Sequence, residues 1–246
     1  MDYKTKPKMV LFDVGGTLFN DGKCSPLAGL SKLRLLSENP DATTDEQLLA
    51  YWNECIEELD FNRVSKNGHG LEIPLPAVIK FATMRAGLKF KYSMAELEEL
   101  FDRYNSTREY VSGIEKLLAT LDELNIRAAV ISNNMMTGES LALAVKHWLP
   151  DSNMEFCFTS ADTLFSKPCR KIFDVAVGYA GLKNSECWYC GDTKVPDIDG
   201  GSGAGLTPVL IDERSETALE IRSDCAAGEY MTVNSWEVLA EYLKTL

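Results

Sequence analysis

The chain has 246 residues, which is long enough to bury a hydrophobic core without disulfide bonds. Its 45% of hydrophobic and 25% of charged residues are typical of a globular protein and exclude collagen, a coiled coil or a disordered tail. The net charge of −12 argues against general binding to nucleic acid or anionic lipid, because a negative field repels polyanions. It does not exclude a small phosphorylated ligand held in a local pocket.

The seven cysteines are an odd number without framework spacing, which predicts a reduced, cytoplasmic protein. The apolar run near the start covers only residues 9–12, too few for a signal peptide or a membrane span. We therefore predict no membrane association. Cys187 and Cys190 form one CxxC inside a predicted strand, and without a second pair we interpret them as core thiols. The sequence does not indicate an oligomeric state.

Apolar runs alternate with helical periods along most of the chain. Six strands are predicted, at residues 8–13, 126–132, 155–158, 187–190, 207–211 and 230–233. Apolar residues at helical spacing predict one helix from Tyr110 to Leu124 and further helices near 172–180 and 236–243. Alternation of strand and helix from about residue 110 onward predicts an α/β fold with a doubly wound parallel sheet.

Residues 24–106 differ from the rest, since they contain amphipathic helices and no convincing strand. We therefore predict an α/β core made of residues 1–23 and 107–246, with an inserted helical cap at 24–106. Just before this insertion, the Asn20-Asp21-Gly22 segment has the composition of a hairpin turn.

Polar side chains follow the predicted strands where each strand ends, and the carboxyl ends of parallel strands are where ligands bind. These residues are Asp13, Ser132, Asn133, Lys167, Asp192 and Asp197. Carboxylates that meet at one place repel one another unless a cation lies between them, and oxygen ligands suit Mg²⁺. A phosphate could complete the shell of that metal, contact a lysine and a serine, and receive attack from a carboxylate.

Four segments of the sequence, at residues 12–19, 130–133, 166–168 and 190–198, resemble the motifs of the haloacid dehalogenase-like hydrolases in order and in setting. The resemblance covers residues 7–20 and 108–246. It implies a Rossmann-like core, and the insertion falls where one branch of the family carries a helical cap that closes over the site.

The resemblance also implies roles for individual residues. Asp13 is expected to be the nucleophile and a Mg²⁺ ligand, together with the carbonyl of Gly15, Asp192 and, directly or through a hydrogen bond, Asp197. Ser132 and Lys167 are expected to hold the transferring phosphoryl group. The remaining substrate-binding residues predicted are Gly16, Thr17 and Asn133.

One position departs from the pattern of the phosphatases in this family, which carry a second aspartate two residues after the nucleophile as general acid. Gly15 stands there, and a missing general acid costs about 10²–10⁴ in rate. Three explanations stay open: the leaving group needs no proton, another residue such as Asp21 substitutes, or the protein binds phosphorylated ligands and turns them over poorly.

A dehalogenase is a rival interpretation because halide leaves unprotonated, although such an enzyme has little use for the Asp192 and Asp197 pair. The function predicted from the sequence is a Mg²⁺-dependent phosphohydrolase acting on a small phosphorylated metabolite. Two further features have ordinary interpretations: the glycines at 200–205 predict close helix packing, and Arg63 and His69 lie in a predicted solvated loop of the insertion.

Overall fold

The structure, a computed structural model, describes residues 2–225 and 228–246. The strands in these ranges are β1 Met9–Phe12, β2 Phe19–Cys24, β3 Ser106–Tyr110, β4 Arg127–Ser132, β5 Met154–Thr159, β6 Cys187–Gly191, β7 Thr207–Ile211, β8 Leu219–Cys225 and β9 Gly228–Val233. The helices are α1 Pro26–Leu36, α2 Asp45–Glu57, α3 Leu75–Arg85, α4 Met94–Asn105, α5 Ile114–Glu123, α6 Gly138–Trp148, α7 Ser160–Thr163, α8 Arg170–Tyr179, α9 Gly200–Ala204 and α10 Trp236–Lys244. A wide helical turn, Lys194–Asp199, precedes α9. In the described ranges, no helix combines the length and apolar character needed to cross a bilayer.

The central sheet has seven strands in the order β5-β4-β1-β6-β7-β9-β8, all parallel except β8, which pairs antiparallel with β9. This arrangement confirms the predicted α/β fold, and each of the six predicted strands is present. The strand at the edge, β8, was missed because it is only partly buried and does not read as an apolar run.

Side chains of β1 alternate between the two faces of the sheet, so each face has its own core. Val10 and Phe12 belong to the cluster formed with α5 and α10. Met9 and Leu11 belong to the cluster on the opposite face, formed with α8 and α9. The sheet is therefore covered on both sides, and its loops are the parts available for a site.

Helices α1 to α4, which we call the helical insertion, form a second hydrophobic cluster, to which Met136 and Ala144 of the core also belong. At its centre the Trp52 and Phe101 rings are stacked with centroids 4.9 Å apart. The insertion is joined to the sheet through the two-stranded ribbon of β2 and β3, in which Cys24 is paired with Ser106. Whether residues 24–106 act as a cap stays a prediction.

Two local predictions at this ribbon were wrong. Tyr110 belongs to β3, and helix α5 begins only at Ile114. The Asn20-Asp21-Gly22 segment lies within β2, where Asp21 is paired with Arg108, and forms no hairpin turn. Because the two strands are separated by more than 80 residues, no local pattern could reveal that they pair.

Candidate active site

Asp13 lies directly after β1, at the carboxyl edge of the sheet. Its backbone N–H donates to the carbonyl of Cys190 (2.9 Å), which continues the pairing of β1 with β6. The chain then turns at Gly16, whose φ of +66° is left-handed. The Asp13 side chain is 15% exposed, so the fold leaves one face of this carboxyl accessible.

Three aspartates from two loops form a compact cluster. Asp13, Asp192 and Asp197 each place a carboxylate oxygen within 4.8 Å of the others. Asp192 follows β6 directly, and Asp197 lies on the wide helical turn that comes next. All three were predicted at this edge of the sheet, and the structure brings them together.

Two glycines make room for this cluster. A Cβ atom at Gly16 would lie 2.6 Å from Asp192 Cγ, and a Cβ atom at Gly191 would lie 2.6 Å from Asp197 Oδ2. Any other residue at either position would displace a carboxylate. Gly16 leaves the space that Asp192 occupies, and its predicted contact with substrate stays a prediction.

Lys167 is the cationic centre of the cluster, and its side chain is only 1% exposed. Its Nζ donates to Asp13 Oδ1 (3.0 Å), Asp197 Oδ1 (2.6 Å) and the hydroxyl of Tyr189 (2.8 Å). Tyr189 in turn donates to the carbonyl of Ile131 (2.8 Å). An acceptor is therefore present for each of the three ammonium protons, which fixes the lysine between the two carboxylates.

Asn133 holds the backbone of Lys167 rather than facing the cluster. Its side-chain oxygen accepts from Lys167 N–H (2.6 Å), and its amide nitrogen donates to the Lys167 carbonyl (3.1 Å). Ser132 ends β4 and is buried. Thr17 is fully buried, and its hydroxyl has no hydrogen-bond partner among the described residues. That Asn133 and Thr17 contact substrate stays a prediction.

The charges of the cluster fit a divalent cation. Three carboxylates and one ammonium leave a formal charge of −2. Both oxygens of Asp197 already accept, Oδ1 from Lys167 and Oδ2 from the Thr193 N–H (3.0 Å). Asp13 and Asp192 are the carboxylates with oxygens left for a metal ion, and oxygen ligands of this kind suit Mg²⁺.

The pKa values of Asp192 and Asp197 are shifted because the site is partly buried and its carboxylates lie close together. Burial raises the pKa of Asp192, and the neighbouring Asp13 carboxylate raises it further. Burial also raises the pKa of Asp197, while the Lys167 ammonium opposes that shift. Both effects arise because negative charge is costly in a partly dry, acidic site, and a bound cation would lower that cost.

A cavity of about 320 Å³ adjoins the cluster and provides space for a small molecule. Gly16, Asn20 and Asp192 line its inner side. The outer side is formed by the loop after β7, with Asp212, Glu213 and Arg214. A ligand in this cavity would therefore reach Asp192, one of the three carboxylates of the cluster.

The remaining sequence features lie outside the cluster. Cys187 and Cys190 are buried on opposite faces of the sheet, as core thiols. The glycine segment packs closely, as predicted, since a Cβ at Gly201 would lie 3.3 Å from Tyr189. Arg63 donates to the carbonyl of Glu72 (3.0 Å) within its own loop. The His69 ring meets Phe165 edge-on at 6.3 Å, so that loop is packed rather than fully solvated.

The family profile of the haloacid dehalogenase-like hydrolases matches residues 10–211 of the chain. This range begins in β1, ends with β7 and contains every member of the cluster. The chain belongs to the haloacid dehalogenase-like hydrolases. It is therefore a hydrolase, and the helical insertion lies inside the matched range.

The chain is similar to a glyceraldehyde 3-phosphate phosphatase of Methanothermobacter thermautotrophicus, with 25% identity over 213 residues that cover 83% of this chain and 85% of the relative. Among solved structures, a 2-haloacid dehalogenase from Pseudomonas syringae has a TM-score of 0.55 at 19% identity, covering 97% of this chain and 99% of that one. A phosphatase of the same superfamily from Thermococcus onnurineus has a TM-score of 0.54 at 19% identity, covering 96% and 97%. These structures share the fold.

Two residues of the site were missed by sequence reasoning. Tyr189 reads as one more apolar residue of a buried strand, and only its hydroxyl, at the end facing Lys167, makes it part of the site. Gly191 lies in the segment at 190–198, where the sequence indicated no role for it. The space that it leaves for Asp197 depends on a contact between the two residues in the folded chain. A tyrosine hydroxyl in a buried strand and a glycine at the end of that strand could have indicated these roles. Which groups they face became evident only from the register of β6 in the sheet.

Proposed function

We propose that this hydrolase is a Mg²⁺-dependent phosphohydrolase that acts on a small phosphorylated metabolite through an aspartyl-phosphate on Asp13. The observation that carries the proposal is the partly exposed Asp13 carboxyl within a cluster of net charge −2. The similarity to a glyceraldehyde 3-phosphate phosphatase supports it. A dehalogenase is disfavoured, because cleavage that needs no metal would leave the excess carboxylate charge without a purpose.

In this proposal each residue has a definite task. Asp13 attacks phosphorus, and Lys167 holds the Asp13 carboxyl in position and offsets negative charge as phosphoryl transfer proceeds. The Ser132 hydroxyl donates to a phosphoryl oxygen. Asn133 fixes the backbone that carries Lys167.

Asp13, Asp192 and the Gly15 carbonyl would hold Mg²⁺, and Asp197 supports the site through Lys167 and Thr193. When bound, Mg²⁺ would neutralise charge on the phosphoryl oxygens and so reduce their repulsion of the Asp13 carboxylate. We further propose that the helical insertion acts as a cap that excludes water and contacts the part of the substrate beyond the phosphate.

Steady-state hydrolysis of acetyl phosphate, p-nitrophenyl phosphate and alkyl phosphates with Mg²⁺ tests the function. We expect turnover of at least one class and its loss in Asp13→Asn, by about 10⁴-fold or more if the nucleophile is removed. Asp151→Asn is the matched control, since Asp151 precedes β5 at the opposite edge of the sheet. If a folded wild-type protein that binds Mg²⁺ hydrolyses none of these compounds, the alternative of a phosphometabolite-binding protein replaces this proposal.

A further inference from the structure

Cleavage of a phosphate ester of an ordinary alcohol requires a proton for the departing oxygen, because an alkoxide is a poor leaving group. The groups of the Asp13 cluster are already committed: the Lys167 protons have three acceptors, both oxygens of Asp197 accept hydrogen bonds, and Asp192 is a proposed Mg²⁺ ligand. Any proton donor must therefore come from outside the cluster.

Asp21 on β2 is the acid that lies beside the turn after Asp13. Its Oδ2 is 3.7 Å from the position that a Cβ atom of Gly15 would occupy, and among the described residues beyond the two chain neighbours no other heavy atom comes within 4 Å of that position. The space beside Gly15 is therefore open and is bordered by this carboxyl. The Asp21 side chain is 51% exposed, so a ligand can reach it.

Arg108 fixes the orientation of this carboxyl. Asp21 and Arg108 are paired across β2 and β3, and Arg108 Nε donates to Asp21 Oδ1 (3.1 Å). The Arg108 side chain is only 6% exposed and is itself held by Asp102, through bonds of 2.6 Å and 2.7 Å to the two carboxylate oxygens. Oδ1 of Asp21 therefore accepts a hydrogen bond from a guanidinium that is itself held in place, and Oδ2 faces Gly15.

We propose that Asp21 carries the proton for the leaving group, which extends the substrate class to phosphate esters of weakly acidic alcohols. This inference rests on the proposed phosphohydrolase function. Asp13 attacks phosphorus, the bond from phosphorus to the ester oxygen breaks, and that oxygen takes its electron pair and the proton from Asp21 Oδ2. The products of this step are an alcohol, an aspartyl-phosphate on Asp13 and an Asp21 carboxylate.

The second step restores both residues. The Asp21 carboxylate takes a proton from water as the water oxygen bonds to phosphorus. The bond from phosphorus to Asp13 breaks, its electron pair returns to the Asp13 carboxylate, and inorganic phosphate leaves. Asp21 is again protonated, and the sum of the two steps is ester plus water giving alcohol plus phosphate.

The test is a series of phosphate monoesters with leaving groups from alkyl alcohols to phenols, and with acetyl phosphate as the most acidic member. We expect Asp21→Asn to lower kcat/KM by about 10²–10⁴-fold on alkyl esters. Because kcat/KM reports steps up to formation of the aspartyl-phosphate, the loss should shrink steadily as the leaving group becomes more acidic. Glu109→Gln is the matched control, an exposed acid that β3 presents on the other face of the same ribbon.

The double variant Gly15→Asp with Asp21→Asn tests whether the position rather than the residue matters. A Cβ atom at Gly15 has no close contact with the described residues beyond its chain neighbours, and we expect the added carboxyl to recover at least about tenfold on alkyl esters. A loss in Asp21→Asn that the double variant does not recover, together with a lowered melting temperature, would assign the effect to folding and overturn the inference.

Two results would overturn the inference while leaving the proposed function intact. One is equal kcat/KM for Asp21→Asn and wild type on an alkyl ester, and the other is a wild type that cleaves only acyl or aryl phosphates. Failure of the proposed function is a different result, namely no hydrolysis of any phosphate by the wild type, or full activity in Asp13→Asn.

Discussion

At the scale of single residues, the site depends as much on missing side chains as on charged ones. Gly16 and Gly191 each lie where a Cβ atom would collide with a carboxylate of the cluster. Gly15 is different, because among the described residues beyond its chain neighbours a Cβ atom there would meet Asp21 alone, at an ordinary contact distance. Steric crowding therefore explains glycine at Gly16 and Gly191 and does not explain it at Gly15.

Gly16→Ala is expected to disturb both backbone and site. A φ of +66° costs about 1–2 kcal/mol for a residue with a Cβ atom, and the added carbon would push the Asp192 carboxylate away. We expect a lower melting temperature and a fall in kcat/KM of about 10²-fold, because small misplacements of reacting groups cost rate strongly. Thermal melting and phosphate hydrolysis are the measurements.

Gly178→Ala is the matched control for this substitution. Gly178 lies inside α8, has no positive φ, and an added Cβ there meets open space. Alanine in a helix interior is favoured over glycine by about 0.5–1 kcal/mol, so the control should melt at the same or a higher temperature. Equal activity of the two variants would contradict the assigned role of Gly16.

At the scale of elements, one buried acid connects the helical insertion to the core. Glu98 on α4 is fully buried and accepts from the N–H (3.1 Å) and the hydroxyl (2.7 Å) of Thr137, the N-cap of α6. A carboxylate at a helix N-terminus is favoured by the free N–H groups there. Burial nevertheless raises the pKa of Glu98, the bonds from Thr137 oppose the shift, and Asp162 adds to it.

The pH dependence that follows has a definite sign. Since the pKa of Glu98 is raised in the folded state, folding favours the protonated form, and its contribution to stability falls as pH rises through the raised pKa. The free energy of unfolding of wild type minus that of Glu98→Gln should therefore decrease between about pH 4 and about pH 7. Denaturant unfolding at several pH values measures it.

Glu139→Gln provides the comparison, because Glu139 is an exposed acid in the first turn of α6, the helix whose N-cap Thr137 binds Glu98. The free energy of unfolding of wild type minus that of Glu139→Gln should change less with pH than the same difference for Glu98→Gln. If the difference in free energy of unfolding between wild type and Glu98→Gln does not change with pH, the burial of this carboxyl has no energetic consequence.

At the scale of the whole molecule, the fold gathers a net negative charge at one edge of the sheet. The segments around residues 13, 167 and 192–197 are far apart in sequence and meet only because parallel strands end at the same edge. With a net charge of −12 on the chain, the surrounding field adds to the local attraction for a cation.

Binding of Mg²⁺ is therefore expected to stabilise the wild type. A ligand at 100 times its Kd contributes about 2.7 kcal/mol, and each kcal/mol raises the melting temperature of a chain of this size by about 2–4 °C. Asp192→Asn should abolish this increase. Without Mg²⁺ the same variant should melt above wild type, since it removes a carboxylate whose pKa is raised by burial and by Asp13.

Asp151→Asn should show the same increase in melting temperature with Mg²⁺ as wild type, because Asp151 lies outside the cluster. Melting curves with and without Mg²⁺ measure all three proteins. An equal increase in Asp192→Asn and in wild type would place the metal elsewhere and contradict the proposed ligand set.

Much of the architecture could be predicted from local pattern. Buried parallel strands are continuous apolar runs, so β1, β4, β6 and β7 were recognisable. Polar residues after β1, β4, β5 and β6 marked the functional edge. Asp13, Lys167, Asp192 and Asp197 were predicted on this basis, and the structure brings them into contact. Their catalytic and metal-binding roles stay predictions.

The sequence by itself determined the fold class and which residues meet at one edge, because apolar periodicity and strand ends are local properties of the chain. Only the tertiary structure decided what each polar group is paired with. The pairing of β2 with β3, which turns Asp21 toward Gly15, and the reach of the Tyr189 hydroxyl to Lys167 depend on contacts between distant segments. Hydrogen bonds act over about 3 Å, and that proximity exists only once the chain has folded.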